Sequence, residues 1–422
     1  MHLVHRKTCR VCGSTALARV IDVGEQYLQG AFVKPGRPEP PHRRIPLVLL
    51  RCDPTADERA CGLLQLSHSV PPALLYATYW YRSGTNRTMT DHLRNIAEEA
   101  QSMIGKKQQA LVLDIGCNDG TLLSFYPPSY DRYGIDPSDI SRGVDGSITI
   151  INDLFPSVEL KEKLDGRQAE IVTSIAMFYD LEDPVEFGRC VRELLAPNGL
   201  WVFEMSYMPA MLEMNSYDTI CHEHLEYYSL SVLEAIADRA GMKIVRASLN
   251  DINGGSIRCY ATHKDTFIWD RSSYANELMA LRIREFDLQL DTDIPYRRFQ
   301  ERIEAHREEL GGLLKKLRRS GKSIHIYGAS TKGNTILQYC GIDSNMIDVA
   351  AERNPEKYGA RTLGTDIPIV SEEESRGMKP DYYLVLPWHF RKEILERERE
   401  SLEGGVGMIF PLPKVEIVVG RE

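Results

Sequence analysis

Residues 111–120 read LVLDIGCNDG, and this stretch decides the fold that the sequence predicts. A continuous apolar run over Ala110–Ile115 predicts a buried strand, which enters a glycine turn and then a helix. Gly116 and Gly120 carry no side chain, so a ligand can approach the backbone of the turn closely. Asp114 adds a carboxylate just before that turn. The stretch therefore predicts an α/β domain that binds a cofactor at the end of its first strand.

The next predicted strand ends in a second acidic motif. Residues 133–137 read YGIDP and follow the first motif by about 20 residues, the spacing at which a carboxylate such as Asp136 binds ribose hydroxyls. The turn has the spacing G-x-x-x-G behind an acid, whereas nicotinamide cofactors favour G-x-G-x-x-G. The two motifs predict S-adenosylmethionine (SAM) as the cofactor in preference to NAD. The alternative is a tight turn in a ligand-free α/β domain.

Residues that follow the third and fourth predicted strands extend the cofactor site. Asn152–Phe155 lies where the third strand ends, and there it frames the adenine or forms a plain turn. The segment Met177–Asp180 lies beside the site after the fourth strand. The predicted cofactor-binding residues are Asp114, Gly116, Cys117, Asn118, Gly120, Asp136, Pro137, Asp153, Ser174 and Met177.

Alternating strands and helices define the sheet class. Short apolar strands at Tyr133–Ile135, Ile171–Ser174 and Leu200–Phe203 are separated by helical segments such as Pro184–Leu195. This alternation predicts a parallel, doubly wound sheet.

The pattern restarts near the C-terminus. Strands are predicted at Ser323–Tyr327, Ile347–Ala350 and Tyr382–Leu386, which indicates a second, Rossmann-like unit. Residues 270–320 are strongly charged around one apolar stripe, so long amphipathic helices are expected to bridge the two units.

Composition and charge restrict the class of protein. The formal net charge is −9 and the pI about 5.8, so no global positive field attracts nucleic acid. No apolar run reaches the roughly 18–20 residues that span a bilayer, and the residues MHLVHRKTCRVCG have no apolar signal core. We therefore expect a cytoplasmic protein that binds neither nucleic acid nor membrane, as a monomer or a small homo-oligomer.

Four of the nine cysteines form two pairs. Cys9 and Cys12 have the Cys-x-x-Cys spacing of a zinc knuckle, and Cys52 with Cys61 supplies a second pair. Residues 53–60 make the second gap longer than the usual two to about four residues, so reduced, merely buried cysteines are the alternative. A structural zinc would supply folding free energy that this thin N-terminal core lacks.

Proton-transfer groups are concentrated in YDTICHEHLEYYS, residues 217–229. Histidine has a reference pKa of about 6.5, which makes His222 and His224 candidate bases at neutral pH. Catalytic metal binding is an alternative, but histidines two positions apart without a third ligand lack zincin spacing. Solvated surface histidines are the other alternative.

Six motifs together resemble the sugar C-methyltransferase family, best known as the TDP-sugar C-3 methyltransferases of deoxysugar pathways. The motifs are CRVCG (9–13), CGLLQL (61–66), DIGCNDG (114–120), HEHL (222–225), NGGS (253–256) and GASTKGN (328–334). The resemblance covers nearly the whole chain. It implies an α/β fold class: a class I SAM methyltransferase doubly wound sheet with a small N-terminal zinc module and a C-terminal Rossmann-like domain. The predicted domains are a zinc module at 1–75, a SAM domain at 76–265, a helical linker at 266–320 and a Rossmann-like domain at 321–422 that helps to hold a nucleotide-sugar.

The resemblance also implies a reaction at a carbon next to a ketone. A base removes the C3 proton of a 4-keto sugar, and the resulting enolate takes the methyl group of SAM. His224 is the predicted base, with Glu223 orienting it or binding substrate hydroxyls. One residue departs from the family pattern, since relatives have tyrosine where this chain has Cys221, and a thiol is a weak donor to an enolate.

Another group is therefore expected to assist the enolate, or the acceptor differs. Tyr179, Tyr81 and His222 are the candidates for that part. The predicted catalytic residues are His224, Glu223, His222 and Tyr179.

Three segments are candidate walls of the acceptor pocket. Residues 79–84 (YWYRSG) offer aromatic faces and a cation, or form a packing cluster between domains. Residues 326–335 combine a glycine turn, a lysine and a helix N-terminus, which suit a diphosphate or form an inert turn, and they lack P-loop order. Residues 388–391 stack on a base or pack at a domain interface. The predicted substrate-binding residues are Tyr79, Tyr81, Cys221, Asn253, Lys332 and Asn334.

Two further function classes remain open at this point. One is a SAM-dependent methyltransferase that acts on oxygen, nitrogen or carbon of another small molecule. The other is a zinc-stabilised scaffold or nucleic-acid-binding protein that keeps the fold without activity, which the acidic charge disfavours.

Overall fold

A computed structural model of the chain describes residues 3–75, 80, 82–105 and 107–420. The N-terminal elements are β1 (Val4–His5), β2 (Leu17–Gln26), β3 (Phe32–Val33), β4 (Ile45–Cys52), β5 (Leu64–Leu66), β6 (His68–Ser69) and α1 (Pro72–Leu75). β2 and β4 form an antiparallel hairpin to which β5 adds a third strand. Ile45, Leu47 and Leu49 alternate with less buried neighbours along β4, so one face of this sheet is apolar.

The second unit contains a seven-stranded sheet. Its elements are α2 (Arg87–Ile104), β7 (Leu111–Ile115), α3 (Thr121–Ser124), β8 (Asp131–Ile135), β9 (Thr149–Ile151), α4 (Val158–Leu164), β10 (Ala169–Ile175), α5 (Pro184–Leu194), β11 (Leu195–Ser206), α6 (Met208–Glu213), β12 (Glu226–Tyr227), α7 (Leu230–Arg239), β13 (Met242–Asn250) and β14 (Ser256–His263). The strand order is β13-β14-β11-β10-β7-β8-β9. All five residues of β7 are buried, as expected for a central strand covered on both faces.

The predicted doubly wound methyltransferase sheet is confirmed, with one strand reversed. The strands that the sequence predicted are parallel, and β14, which it did not predict, runs antiparallel to both of its neighbours, β11 and β13. A short turn around Ile252–Gly254 joins β13 to β14. Such a turn connects only antiparallel neighbours, because a parallel pair needs a long crossover.

The third unit follows two long helices. Its elements, with those helices, are α8 (Ser272–Asp287), α9 (Ile294–Arg319), β15 (Ile324–Tyr327), α10 (Thr331–Cys340), β16 (Ala350–Glu352), β17 (Arg361–Thr362), β18 (Ile369–Ser371), α11 (Glu372–Gly377), β19 (Tyr382–Val385), α12 (Arg391–Arg397), α13 (Arg399–Glu403), β20 (Gly407–Phe410) and β21 (Glu416–Val418). The sheet order is β18-β16-β15-β19-β20-β21, parallel except for β21. This is a Rossmann-like sheet.

One strand of this sheet lies later than the sequence predicted. The prediction placed it at Ile347–Ala350, but β16 begins at Ala350. Ile347 is buried in the preceding turn, where its N–H donates to the Asp343 carbonyl. Its burial therefore comes from the turn and not from the sheet.

The N-terminal unit is joined to both of the others through its strands. β12 of the second unit pairs with β5, and β17 of the third unit pairs with β3. Ile21 and Leu47 of the N-terminal sheet pack in the same core as Phe299 of α9 and Ile324 of β15. The hydrophobic face of the hairpin is thus buried by the rest of the chain. Among the described residues, no helix is long and apolar enough to cross a bilayer.

Helix α8 is fastened to the second unit by the buried carboxylate of Glu285. Its Oε1 accepts from the Tyr207 hydroxyl at 2.7 Å and from the Leu230 N–H, and its Oε2 accepts from the Ser231 N–H at 3.1 Å. Leu230 and Ser231 begin α7, so the carboxylate also lies at a helix N-terminus, where the dipole favours negative charge.

We predict that Glu285→Ala lowers the free energy of unfolding by about 2 to 4 kcal/mol, because three donors, two of them on buried residues, lose their acceptor. Urea unfolding measures the change. Asp287→Ala is the matched control, since Asp287 is exposed on the same helix and its loss is expected to change stability by less than about 0.5 kcal/mol. Equal effects of the two variants would contradict the role of Glu285.

Candidate active site

The parallel strands of the second and third units point their carboxyl ends at one cavity of about 990 Å³. The second unit contributes residues that follow β7, β8 and β10, and the third unit contributes residues that follow β15, β16 and β19. Residues of the N-terminal unit and of the His-Glu-His segment complete the wall. Representative lining residues are Gly30, Gly116, Asp136, Met177, Glu223, His224, Gly328, Lys332 and Glu352.

The glycine turn after β7 is held against the acid at the end of β8. Gly116 adopts a φ of +78°, a left-handed conformation that favours glycine. The Asn118 N–H donates to Asp136 Oδ2 at 2.9 Å, and the Ser138 N–H donates to Asp136 Oδ1 at 2.8 Å. The carboxylate is thereby fixed at the rim of the cavity, where it can still accept from ligand hydroxyls.

Asp114 places a second carboxyl group in this part of the cavity. It accepts from the Thr173 hydroxyl at 2.6 Å. Burial, with a contribution from the charge of Asp136, raises the pKa of Asp114 to about 7. A positively charged ligand would favour the ionised form of this carboxyl. SAM carries an ammonium and a sulfonium group, so the residues present fit this cofactor.

Most of the other predicted cofactor residues also line the cavity, namely Cys117, Asn118, Pro137, Asp153 and Met177.

Two predicted cofactor residues do not reach the cavity. Gly120 has a φ of +73°, and a Cβ there would lie 2.7 Å from Val144 Cγ1, so its glycine serves the tight turn itself. Ser174 is buried within β10, where its hydroxyl accepts from Trp201 Nε1 at 3.2 Å. Because side chains alternate along a strand, Ser174 points away from the ligand side.

His224 lines the cavity with one ring nitrogen already engaged. Its Nδ1 lies 2.7 Å from the Thr219 carbonyl, and its ring packs against Tyr179 with 4.1 Å between the centroids. Since a carbonyl only accepts, Nδ1 carries the proton and Nε2 keeps its lone pair. Burial, followed by the charge of Lys332, lowers the pKa of His224 to about 3. The imidazole is therefore neutral at physiological pH.

Glu223 also faces the cavity, and its carboxyl group makes no hydrogen bond with any residue that the structure describes. Burial raises its pKa to about 7. A carboxyl group with no hydrogen-bond partner among the described residues is suited to bind ligand hydroxyls.

His222 and Cys221 lie outside the cavity lining, contrary to their predicted site roles. His222 is buried, with Nδ1 2.7 Å from Gln29 Oε1 and Nε2 3.2 Å from the Ile45 carbonyl. Both ring nitrogens face the N-terminal unit, so His222 anchors the loop. Cys221 is fully buried behind the same loop.

Some of the predicted substrate residues line the cavity and others lie outside it. Lys332 and Asn253 both line the cavity, where Lys332 Nζ donates to the Asn253 carbonyl at 3.0 Å. Asn334 is buried outside it, and its Nδ2 donates to the Gln29 carbonyl at 2.7 Å. Tyr79 and Tyr81 lie outside the described residues.

The segment after β19 also has residues inside and outside the cavity lining. His389 and Phe390 line the cavity. Trp388 is buried and its Nε1 donates to Asp218 Oδ2 at 2.9 Å, so this residue packs at the interface between units.

Glu352 lines the cavity, although the sequence did not predict it as a site residue. It ends β16, and its Oε2 accepts from the Ala329 N–H of the glycine turn at 3.1 Å. Its Oε1 accepts from the N–H groups of Arg353 and Asn354 at 2.8 and 3.0 Å. These backbone contacts resemble those of Asp136 in the other sheet, and Glu352 Oε2 in addition pairs with Lys357 Nζ at 3.4 Å. An acid 24 residues after Gly328 could have indicated this site. It was not recognised because the predicted strand ended at Ala350, two residues before Glu352.

The four N-terminal cysteines converge in space. Their sulfur atoms all lie within 4.8 Å of one another, with 3.5 Å between Cys9 and Cys61 and 3.4 Å between Cys12 and Cys52. These separations exceed the roughly 2.05 Å of a disulfide. Four thiolates at such distances fit one tetrahedral zinc ion, so the protein has a structural zinc site.

Comparison with known protein families supports each unit. Residues 9–76 match a zinc binding domain, residues 81–247 a methyltransferase domain and residues 251–413 the C-methyltransferase C-terminal domain. The C-methyltransferase NovU of Streptomyces niveus is 31% identical over 415 residues, which cover 97% of this chain and 96% of that protein.

Solved methyltransferases resemble only part of the chain. Magnesium protoporphyrin IX methyltransferase from Synechocystis with bound SAH is 13% identical over 43% of this chain and 89% of that one, with a TM-score of 0.34. A methyltransferase in complex with the Haloferax volcanii activator Trm112 is 15% identical over 42% of this chain and 93% of that one, also with a TM-score of 0.34.

We predict one zinc ion per chain by elemental analysis, and loss of zinc with a lower melting temperature in Cys52→Ala. The reason is that metal binding and folding are coupled in a unit with little core of its own. Cys190→Ala is the matched control, because Cys190 lies on α5 outside the cluster. It should keep the full zinc content. A wild-type protein that contains no zinc and melts at the same temperature as Cys52→Ala would contradict the assignment.

Proposed function

This chain belongs to the C-methyltransferase family, and from that premise we propose that it methylates C3 of a nucleoside-diphosphate-linked 4-keto deoxysugar through an enolate. It is a SAM-dependent C-methyltransferase. The observation that supports the finer proposal is the placement of His224 in a cavity shared by two nucleotide-type sheet edges. One edge suits SAM, and the other suits the nucleotide of the acceptor.

SAM supplies an electrophilic methyl group when it is bound. The residues proposed to hold it are those at the first edge, with Asp136 accepting from the ribose hydroxyls and Asp114 balancing positive charge. The glycine turn at Gly116 lets the cofactor lie against the backbone.

His224 is proposed as the general base. Its Nε2 takes the C3 proton, the electron pair of the C–H bond forms the enolate, and the charge develops on the C4 oxygen. The hydrogen bond to the Thr219 carbonyl keeps Nδ1 protonated and holds the imidazolium that forms. Tyr179, which also lines the cavity, is the proposed donor to the enolate oxygen. Since Cys221 lies outside the lining, its thiol contributes nothing to this wall.

The second edge is proposed to hold the nucleoside diphosphate. Lys332 and the N-terminus of α10, which begins after Ser330, provide positive charge and free N–H groups for phosphate oxygens. Glu352 occupies the place at the end of β16 that Asp136 occupies at the end of β8. It is therefore proposed to accept hydrogen bonds from the ribose of the acceptor.

We predict a gain of one methyl group, bound to carbon, when SAM is incubated with enzymatically generated 4-keto-6-deoxy sugars of TDP, UDP, GDP and CDP. In His224→Ala this product is lost and hydrogen exchange at C3 in deuterium oxide stops, while SAH affinity is retained. Mass spectrometry and NMR measure the methylated product, the hydrogen exchange at C3 and the affinity for SAH. His42→Ala, an exposed histidine, is the control. An O- or N-methyl product would overturn the enolate mechanism, and a fully active His224→Ala would remove His224 from it.

We predict reciprocal binding defects at the two edges. Asp136→Asn should weaken SAH about 10-fold or more and leave TDP, UDP, GDP and CDP unchanged, because it removes a charged acceptor at one edge only. Glu352→Gln should weaken whichever of these nucleotides binds and leave SAH unchanged. Isothermal titration calorimetry measures each affinity. Loss of both ligands in either variant would show that the edges do not bind them separately.

A further inference from the structure

The turn that follows β2 brings the zinc-binding unit into the wall of the cavity. Gly30 lies in this turn and lines the cavity beside the His-Glu-His loop. A Cβ at Gly30 would lie 1.9 Å from Glu223 Oε1. No real Cβ approaches an oxygen so closely, so Glu223 occupies the space that a side chain at position 30 would need.

Conformation does not explain a glycine at this position. Gly30 is absent from the residues with a left-handed φ, whereas Gly24 and Gly36 on either side of it have φ values of +77° and +79°. An alanine at position 30 would therefore meet no backbone strain. Instead, the absence of a side chain at Gly30 leaves space for the Glu223 carboxyl group.

The same turn holds the loop at a second point. Gln29 Oε1 accepts from the His222 N–H at 3.2 Å and lies 2.7 Å from His222 Nδ1, while Gln29 Nε2 donates to Gln26 Oε1 at 2.9 Å. The Gln29 carbonyl accepts from Asn334 of α10. Three parts of the chain therefore meet at residues 26–30.

We propose that Gly30 is a positioning residue, which sets the place of the Glu223 carboxyl group against the substrate while Gln29 fixes the loop through His222. This inference rests on the proposed function. Glu223 makes no hydrogen bond with the described residues, so its contact with Gly30 and the packing of the loop determine where the carboxyl group lies. The zinc-binding unit thus shapes the acceptor pocket in addition to binding metal.

The first test is Gly30→Ala in the methylation assay. We expect kcat to fall about 10- to 100-fold, since a displacement of about 1 Å at a reacting centre has this effect. The KM for SAM and the affinity for SAH should stay within about twofold, because the cofactor edge is not touched. Gly146→Ala is the matched control: Gly146 is also a turn glycine without left-handed φ, and a Cβ there meets nothing within 4 Å.

The second test asks whether Glu223 transmits the effect. Glu223→Asp shortens the side chain by one methylene, so the double variant Gly30→Ala/Glu223→Asp should be faster than the product of the single effects predicts. A role of Gly30 in general folding would give no such rescue. Wild-type rates in Gly30→Ala, or single effects that simply multiply, would overturn the proposal.

A stability cycle keeps the test independent of the substrate. If Gly30→Ala lowers the melting temperature, Glu223→Ala in the same chain should restore it, because the new Cβ then meets open space. Failure to restore it would also overturn the proposal. If the wild-type protein methylates none of the sugars, the proposed function fails, whereas a melting temperature that Gly30→Ala lowers and Glu223→Ala restores still supports the contact between Gly30 and Glu223.

Discussion

Two mainly parallel sheets can share one ligand cavity only if their carboxyl edges are held face to face, and the N-terminal unit provides this constraint through its strands. β5 pairs with β12 of the second unit, and β3 pairs with β17 of the third. At the end of the hairpin, His222 lies between Gln29 and the Ile45 carbonyl. Zinc would bind at the opposite end, where Leu17 pairs with Cys52. A metal at this end would therefore stabilise the strand pair whose far end contacts the His-Glu-His loop.

Burial controls the charge states in the cavity. It keeps His224 neutral by lowering its pKa, and it raises the pKa values of Glu223 and Asp114 to about 7. Isolated ions are costly in a low-dielectric environment, so burial shifts these three groups towards their neutral forms. A ligand cation beside Asp114 would favour the ionised form of its carboxyl group. A neutral imidazole with a fixed tautomer is the form that a proton-abstracting base requires.

The sequence predicted local elements well and long-range placement poorly. Continuous apolar runs such as Leu111–Ile115 identify central strands, because nothing but a covered sheet buries both faces of a strand. The strand near Ile347 was misplaced because a buried turn has the same apolar signal as a strand. His222 and His224 are equivalent in spacing and type, and only packing shows which one reaches the cavity. The role of Gly30 depends on Glu223, nearly two hundred residues away, so no local pattern contains it.

The two sheet edges share similar backbone hydrogen bonds and differ in the charge of the side chains beside them. Asp136 and Glu352 each accept from the glycine turn of the neighbouring strand and from the residues that follow. Two positions before the turn glycine, the second unit has Asp114 and the third unit has Ile326. After the turn, only the third unit presents a cation, Lys332, among these equivalent positions. Under the proposed function, the first edge therefore suits the positive charge of SAM, and the second edge suits the negative charge of a nucleoside diphosphate.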